Sequence, residues 1–258
     1  MAVTIKSERE IALMRESCRL LSLVFTEMQK ELKAGMTTKD IDRIGERCIR
    51  DLGGIPNFLN YNGFPASICV SVNNEVVHGI PDKKHIIRDG DIVSLDAGLI
   101  YKGYHSDAAR TFAVGEITPE AEQLIRVTRE CFFQGVRKAK AGNFLHDISN
   151  AIADHADKYN YGIVRDLVGH GIGTHLHEDP EVPNFHMRSK GLRLRAGMTL
   201  AIEPMINIGR PEVEWLDNDW TVVTQDGSLS AHYENTVLIT DGEPEILTLQ
   251  EGETWPEI

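Results

Sequence analysis

A stripe of apolar residues with helical spacing opens the chain. Its members recur every three or four positions: Ile11, Met14, Cys18, Leu21, Phe25, Met28 and Leu32. Such spacing places them on one face of a long helix. Ser7 and Glu10 form a capping-box sequence at its start, and Gly35 is expected to stop it. A second helix is predicted over residues 38–52, ending at Gly53.

Alternating and β-branched runs after these helices predict β-strands, at residues 67–72, 92–98 and 104–114. Thr118 and Pro119 then begin a third helix, which is expected to end near Gly142. A fourth helix is predicted over residues 145–159, and further strands over residues 199–206, 221–224 and 236–240. The order helix, helix, strands therefore occurs twice along the chain.

Short sequence blocks also repeat between the two parts. With a shift of 107 positions, Lys33-Ala34-Gly35 recurs as Lys140-Ala141-Gly142, Asp40-Ile41 as Asp147-Ile148, Arg88 and Gly90 as Arg195 and Gly197, and Leu95-Asp96 as Ile202-Glu203. The block HGI recurs with a shift of 92, so about 15 extra residues are expected around THLHEDPEVPNFHMRSK. We interpret this as an internal duplication within a single domain, residues 1–258, whose halves span about 1–115 and 116–258. A cleft between the two halves is the expected ligand site.

Four carboxylates lie in apolar strand sequences at related points of the two halves. Asp96 and Asp107 flank a predicted hairpin and lie either directly opposite or diagonally on one face, depending on its register. Glu203, in TLAIEPM, is the repeat partner of Asp96, and Glu234 stands in AHYENT. Buried carboxylates repel one another and lose hydration, so a cation between them is expected.

His170, between glycines in VGHGIG, adds an imidazole to this set. Oxygen ligands with one imidazole suit Mn²⁺, Fe²⁺, Co²⁺ or Zn²⁺ rather than a metal selected by thiolates. Five donors, several of which can bridge, suit two divalent ions better than one. Such a pair can activate water and stabilise a tetrahedral intermediate, which is the chemistry of peptide or ester hydrolysis.

The combined motifs resemble the metal site of type I methionine aminopeptidases. They are Asp96, Asp107, His170 in GHGIG, Glu203 in IEPM and Glu234 in AHYENT. The likeness extends to NNEVVHGIP and HLHEDPEVPNF and runs from about residue 5 to residue 249. It implies the α+β duplicated pita-bread fold and removal of the N-terminal methionine from nascent polypeptides with a small second residue. No Cys/His-rich segment precedes the first helix, so the compact bacterial type is expected.

The resemblance also implies roles for the metal-site residues. Asp96 is expected to hold one ion, and His170 with Glu203 the other. Asp107 and Glu234 are expected to contact both ions. Glu203 is also expected to take a proton from the attacking water and pass it to the leaving amine.

Substrate contacts follow from the same resemblance. His78 and His177 are expected to bind the substrate and stabilise the tetrahedral intermediate. The methionine side chain is expected to lie among Tyr61, Phe64, Cys69, Leu176 and Trp220. Aromatic and sulfur neighbours suit a thioether. Phe64 and Leu176 stand where members of the family often carry Tyr and Phe.

The formal charge of −12 argues against a broad basic surface for nucleic acid or an anionic membrane. Any ribosome contact is therefore expected to be local and transient. The charged N-terminal segment lacks the apolar run of a secretory signal, and the longest apolar runs are too short to span a bilayer, so a cytoplasmic protein is expected. The four cysteines form no CxxC, which argues against a disulfide framework or a zinc ribbon. A monomer is expected from the family.

Two other functions remain open at this stage. An Xaa-Pro peptidase of the same fold shares the five ligands, although such enzymes usually carry an additional N-terminal domain. A non-catalytic binding protein on this scaffold would typically have lost ligands, whereas all five stand in this sequence. An amidinohydrolase of the creatine type is disfavoured by chain length and by the metal set. The ligand types do not determine which of the four metals, Mn²⁺, Fe²⁺, Co²⁺ or Zn²⁺, is used.

Overall fold

The structure is a computed structural model that describes residues 3–256. Within that range the helices are α1 (Glu8–Glu31), α2 (Thr38–Asp51), α3 (Pro119–Val136) and α4 (Leu145–Ala156). The strands of the first half are β1 (Ile55–Pro56), β2 (Ile68–Val72), β3 (Glu75–Val77), β4 (Ile92–Tyr101) and β5 (Tyr104–Ala113). Those that follow are β6 (Gly162–Ile163), β7 (Gly169–Gly171), β8 (Glu178–Val182), β9 (Thr199–Ile202), β10 (Met205–Asn207), β11 (Val213–Trp215), β12 (Val222–Thr224), β13 (Ser230–His232), β14 (Glu234–Leu238) and β15 (Glu245–Ile246).

The predicted start of α1 is confirmed by its cap. The Ser7 hydroxyl accepts from the Glu10 amide, and the Glu10 carboxylate accepts from the Ser7 amide at 2.8 Å. The helix ends at Glu31, and Gly35 turns the chain with a φ of 90°. In this left-handed conformation glycine is favoured because it has no side chain to clash.

The predicted end of α3 near Gly142 is wrong, because the helix stops at Val136. Beyond that point Lys138 and Ala139 donate to the carbonyls three residues before them, so the chain tightens and leaves the α-helical ladder. Ala139 is fully buried, which anchors this turn in the core. For α4, the predicted end at Tyr159 includes a short 3₁₀ turn, Asp157–Tyr159, after the α-helix.

A large antiparallel sheet forms the centre of the fold, and its strand order is β1-β4-β5-β14-β9-β7-β8. Its hairpin β4–β5 turns through Lys102 and Gly103, whose φ values are 50° and 82°, as a tight type I′ turn requires. In this register Asp96 pairs with Ala109 and Asp107 with Gly98. The two aspartates are therefore diagonal neighbours on one face, which is one of the two arrangements predicted.

The single strand predicted over residues 199–206 is wrong. It is two strands, β9 and β10, separated by Glu203 and Pro204. Proline lacks the N–H that a ladder needs, so the chain leaves the large sheet there. β10 joins a second sheet with β13 and β6. The last predicted strand, 236–240, is displaced: β14 begins at Glu234 and ends at Leu238.

Equivalent contacts recur in the two parts of the molecule at the shift of 107 positions. The Gly35 amide donates to the Ile87 carbonyl at 2.8 Å, and the Gly142 amide donates to the Leu194 carbonyl at 3.0 Å. Isolated bridges join Thr37 to Ile86 and Phe144 to Arg193. Each part also has its own apolar cluster, one beneath α1 and α2 and one beneath α3 and α4. We therefore propose that residues 1–115 and 116–258 are the two halves of one catalytic domain.

Candidate active site

A cavity of about 290 Å³ lies against the middle of the large sheet. Its lining includes all twelve residues that the sequence predicts for the site: Tyr61, Phe64, Cys69, His78, Asp96, Asp107, His170, Leu176, His177, Glu203, Trp220 and Glu234. Further lining comes from residues that the sequence did not single out as site residues: Phe58, Asn62, Val77, Leu167, Val168 and Met205. The predicted site residues are thus brought together in one place, although they are spread over 174 positions from Tyr61 to Glu234.

The five predicted metal ligands come from five successive strands of the sheet. Asp96 lies on β4, Asp107 on β5, Glu234 at the start of β14, Glu203 directly after β9, and His170 on β7. Because neighbouring strands are hydrogen-bonded, each donor is held next to the following one. The backbone break at Pro204 gives Glu203 its position at the end of its strand.

His170 faces two of the carboxylates with one ring nitrogen and is fixed by the other. Its Nδ1 lies 2.8 Å from the Gly171 carbonyl oxygen, which can only accept, so Nδ1 carries the proton. Its Nε2 then points a lone pair at Asp107 Oδ2, 3.8 Å away, and at Glu203 Oε1, 3.7 Å away. This is the tautomer that a metal ligand needs, with its outer nitrogen oriented by a carbonyl.

The pKa values of all four carboxyl groups at the site are raised in the protein alone. Burial raises the pKa of Asp96 to about 7 and that of Glu203 to about 8. Burial, together with repulsion from neighbouring carboxylates, raises the pKa of Asp107 and of Glu234 well above the usual range. Burial also lowers the pKa of His170 to about 3. Clustered acids of this kind favour either bound protons or a bound cation.

Unpartnered oxygens distinguish these two possibilities. Within the described part of the chain, Asp96 Oδ1, Asp107 Oδ1 and Glu234 Oε1 are buried and accept no hydrogen bond. Buried polar atoms are nearly always satisfied, so unpartnered oxygens that converge with an imidazole fit divalent cations. Donor atoms of Asp107, His170 and Glu234 all lie within 4.8 Å of one another, as do those of Glu203, His232 and Glu234.

Two further histidines border the cavity. His177 Nδ1 lies 2.7 Å from the Tyr61 hydroxyl, and its ring centroid is 4.3 Å from that of His170. His78 adopts a left-handed backbone with a φ of 57°, which is uncommon outside glycine. Burial lowers the pKa of His78 to about 4 and also lowers the pKa of His177. Both imidazoles are therefore neutral near pH 7.

The predicted methionine pocket is an aromatic and apolar wall of the same cavity. Trp220 packs edge-on against Phe64, with ring centroids 5.2 Å apart. The ring centroids of Trp220 and His78 are 6.3 Å apart. Phe64, Cys69 and Leu176 are buried, at 2–4% exposure. Tyr61 also lines the cavity and packs against this apolar cluster, and its hydroxyl is hydrogen-bonded to His177.

Sequence reasoning missed one buried polar residue at the site. His232 is 1% exposed, and its Nε2 lies 3.6 Å from Glu203 Oε2. His232 ends β13 and Glu234 begins β14 in a different sheet, so strand alternation along the sequence could not have identified it.

Comparison with known proteins gives a consistent result. Residues 12–241 match the model of metallopeptidase family M24. A methionine aminopeptidase of Clostridium acetobutylicum is 54% identical over 96% of this chain and its own full length. The crystal structure of a methionine aminopeptidase from Thermotoga maritima superposes with a TM-score of 0.94 at 40% identity, covering 96% of this chain and 100% of that one.

A more distant structure shows a likeness of fold. The prolidase from Pyrococcus furiosus superposes with a TM-score of 0.76 at 23% identity, and the match covers 96% of this chain but 66% of the prolidase. The family model, the curated relative and the Thermotoga structure agree with the pita-bread fold and the family that the motifs predict. The chain therefore belongs to metallopeptidase family M24 and, within it, to the type I methionine aminopeptidases of bacteria.

Proposed function

We propose that the chain removes the N-terminal methionine from polypeptides whose second residue is small, using two divalent cations. Support comes from its relatives in family M24 and from the contents of one cavity. The observation that carries the proposal is that five metal-type donors and an aromatic, apolar pocket border the same 290 Å³ space. A methionine side chain in that pocket would bring the first peptide bond to the donors.

The residues that would hold the cations are Asp96, Asp107, His170, Glu203 and Glu234. Bound there, the cations would polarise the scissile carbonyl and make water a better nucleophile near neutral pH. Hard carboxylate oxygens and one imidazole suit Mn²⁺, Fe²⁺, Co²⁺ or Zn²⁺. Two ions are proposed because five donors, four of them carboxylates that can bridge, suit a pair of ions better than a single one.

Glu203 is the proposed proton carrier. It borders the cavity and keeps 13% of its side chain exposed, more than the 6% of Asp107. Its carboxylate can therefore reach an attacking water as well as the nitrogen that leaves. It would take the proton from the water and deliver it to that nitrogen, so that the amine departs neutral.

His177 and His78 are the proposed donors to the substrate. If the Tyr61 hydroxyl donates to Nδ1 of His177, the proton of that ring sits on Nε2 and is free for a substrate carbonyl. Neutral His78 offers a second N–H from the pocket side, next to Trp220. Hydrogen bonds of this kind strengthen as the carbonyl oxygen becomes negative in the tetrahedral intermediate.

The pocket residues Phe64, Cys69, Leu176 and Trp220, with Tyr61 at the edge, are the proposed contacts of the methionine side chain. Thioether sulfur interacts favourably with aromatic rings, by about 0.3–1.5 kcal/mol per contact. This is the proposed physical basis for selecting methionine over an aliphatic side chain of similar length.

We also propose that the protein acts as a cytoplasmic monomer on nascent chains, with at most a transient contact to the ribosome. The four free, scattered cysteines suit a reducing compartment. None of the described helices is long and apolar enough to cross a membrane. The net charge of −12 disfavours a broad contact with the ribosomal RNA backbone.

A single competition assay tests this proposal. Metal-stripped protein would be resupplied with Mn²⁺ or Co²⁺ and incubated with a mixture of Met-Ala-Ser, Met-Lys-Ser and Ala-Pro-Ala, with products followed by mass spectrometry. Metal-dependent release of methionine from Met-Ala-Ser alone is the expected result. Cleavage of Ala-Pro-Ala instead would assign an Xaa-Pro peptidase, and no cleavage with metal bound would indicate a binding protein.

A further inference from the structure

His232 is held rigidly by its backbone. The His232 amide donates to Thr111 Oγ1 at 2.9 Å, and the His232 carbonyl accepts from the same hydroxyl at 3.0 Å. Thr111 Oγ1 in turn lies 2.8 Å from Ser94 Oγ. The side chain is 1% exposed, so the ring has little freedom to leave its place beside Glu203.

The two oxygens of Glu203 face two different imidazoles. Oε1 lies 3.7 Å from His170 Nε2, and Oε2 lies 3.6 Å from His232 Nε2. His170 borders the active-site cavity, whereas His232 is not among the described residues that line it. His232 borders a second cavity of about 360 Å³, which is also lined by Arg110, Thr111 and Glu253. Among the described residues, His232 thus contacts Glu203 without itself lining the active-site cavity.

Both ring nitrogens of His232 lack a hydrogen-bond partner within residues 3–256. A buried polar group left in this state costs about 1–3 kcal/mol. An approach of a few tenths of an ångström would bring Nε2 and Glu203 Oε2 within hydrogen-bond distance. The second cavity, which His232 borders, is large enough to hold a water molecule.

We propose that His232 is a positioning residue whose Nε2–H donates to Glu203 Oε2 and thereby directs Oε1 towards His170 and the substrate cavity. The inference rests on the proposed role of Glu203 as ligand and proton carrier. A carboxylate that must bind a cation and also move a proton needs one fixed orientation. Partners of metal ligands that provide such orientation are typically worth about 10–100-fold in activity or metal affinity.

Two substitutions separate positioning from simple packing. His232→Gln keeps an N–H donor at similar reach, and His232→Leu keeps the bulk without a donor. We expect His232→Leu to lower kcat on Met-Ala-Ser by about 10–100-fold with little change in KM. We expect His232→Gln to recover most of that loss. Metal binding followed by calorimetry should weaken in His232→Leu and return in His232→Gln.

His155→Gln is the matched control. His155 is also a buried histidine, with Nε2 2.8 Å from Glu130 Oε2, and neither residue borders the active-site cavity. This substitution should lower the melting temperature and leave kcat unchanged. Equal kcat losses in His232→Leu and His232→Gln, or no loss in either, would contradict the positioning role.

An NMR measurement on the unaltered holoenzyme removes any dependence on how the variants fold. Protein labelled with ¹⁵N-histidine and loaded with Zn²⁺ should show His232 with a protonated Nε2, assigned by loss of the signal in His232→Gln. An unprotonated Nε2 would mean that His232 is itself a metal ligand and would overturn the proposal. Failure of the wild-type holoenzyme to cleave Met-Ala-Ser would refute the proposed function, while the NMR result would still decide which atom His232 offers to Glu203.

Discussion

The hydroxyl oxygen of Tyr61 lies 2.7 Å from Nδ1 of His177, at the edge of the cavity that holds the candidate metal ligands. The tyrosine comes from the 3₁₀ turn Tyr61–Gly63 and the histidine from the loop after β7, so two distant segments are joined by one hydrogen bond. A tyrosine hydroxyl that donates to Nδ1 places the histidine proton on Nε2. In the proposed direction of this hydrogen bond, from the Tyr61 hydroxyl to Nδ1, the contact leaves Nε2 as the ring nitrogen that can donate to a substrate.

Tyr61→Phe should consequently lower kcat/KM for Met-Ala-Ser by about 2–10-fold, which corresponds to the usual net value of one hydrogen bond. Steady-state kinetics measure this directly. Tyr104→Phe is the control, because Tyr104 bonds to Glu10 and does not line the cavity. If the two variants behave alike, the Tyr61 contact has no part in catalysis.

Glu203→Gln should retain the fold and lose turnover. The substitution is nearly isosteric but removes a ligand charge and the proposed proton carrier, and proton transfer of this type contributes about 10²–10⁴-fold. Single-turnover assays with saturating Mn²⁺, together with a circular dichroism spectrum, measure both properties. Activity near the wild-type level would rule out the assigned role of Glu203.

The metal-stripped protein should lose stability as the pH rises from about 4 through the folded-state pKa values of Asp96 and Glu203. Burial raises the pKa of Asp96 to about 7 and of Glu203 to about 8, whereas unfolded carboxyls have pKa values near 4. The folded state then binds more protons than the unfolded state, so the free energy of unfolding falls with pH across this window. Burial lowers the pKa of the site histidines His78 and His170, so above about pH 6.5 they are largely neutral in both states and add little.

Thermal melts between about pH 6.5 and pH 8.5 test this stability change, with and without Co²⁺. The metal-free protein should show the larger fall in melting temperature, because bound cations replace the protons that the carboxylates otherwise need. Metal-free Glu203→Gln should show a smaller fall than the metal-free wild type. Parallel curves for all three samples would contradict the electrostatic account of the site.

Trp220→Leu should lower the ratio of kcat/KM for a methionine substrate to kcat/KM for the matching norleucine substrate. Trp220 packs edge-on against Phe64 in the proposed pocket, and an aromatic neighbour favours sulfur over methylene by about 0.3–1.5 kcal/mol. Competition between Met-Ala-Ser and norleucyl-Ala-Ser gives the ratio of kcat/KM values. Trp215→Leu is the matched control, since Trp215 is 49% exposed and outside the cavity lining, and its ratio should equal that of the wild type.

Lys6→Met should destabilise the protein strongly. Lys6 Nζ lies 2.8 Å from Glu178 Oε2, and the two side chains are 5% and 4% exposed. Removing one partner leaves Glu178 buried without its counter-ion, which typically costs about 3–5 kcal/mol. Because Glu178 follows His177 directly, the loss should also raise KM.

Urea unfolding measures the effect of Lys6→Met, with Arg15→Met as control. The Arg15–Glu245 pair has a similar length, 2.7 Å, but its side chains are 47% and 40% exposed, so about 0–1 kcal/mol is expected. The double variant Lys6→Met with Glu178→Leu should recover much of the loss. A Lys6→Met variant as stable as Arg15→Met would show that the buried pair contributes little.

Local sequence signals predicted the elements that depend on neighbouring residues. The cap at Ser7 and the apolar stripe of α1 fix the start of that helix through interactions within a few positions. The same reasoning placed the α3 end wrongly, because the turn at Ala139 is set by burial in the core. It also missed that Pro204 divides one predicted strand between two sheets.

The candidate site also has some features that the sequence determines and others that only the tertiary structure decides. The sequence by itself determined the donor types, their repetition at 107 positions and the family, because these depend on residue identity and spacing. Only the tertiary structure decided which donors are neighbours: β14 pairs Glu234 with Ala109, 125 positions away, and the pairing of β13 with β10 brings His232 to Glu203. Such contacts depend on strand order and register, which are set by packing of the whole sheet rather than by any local stretch.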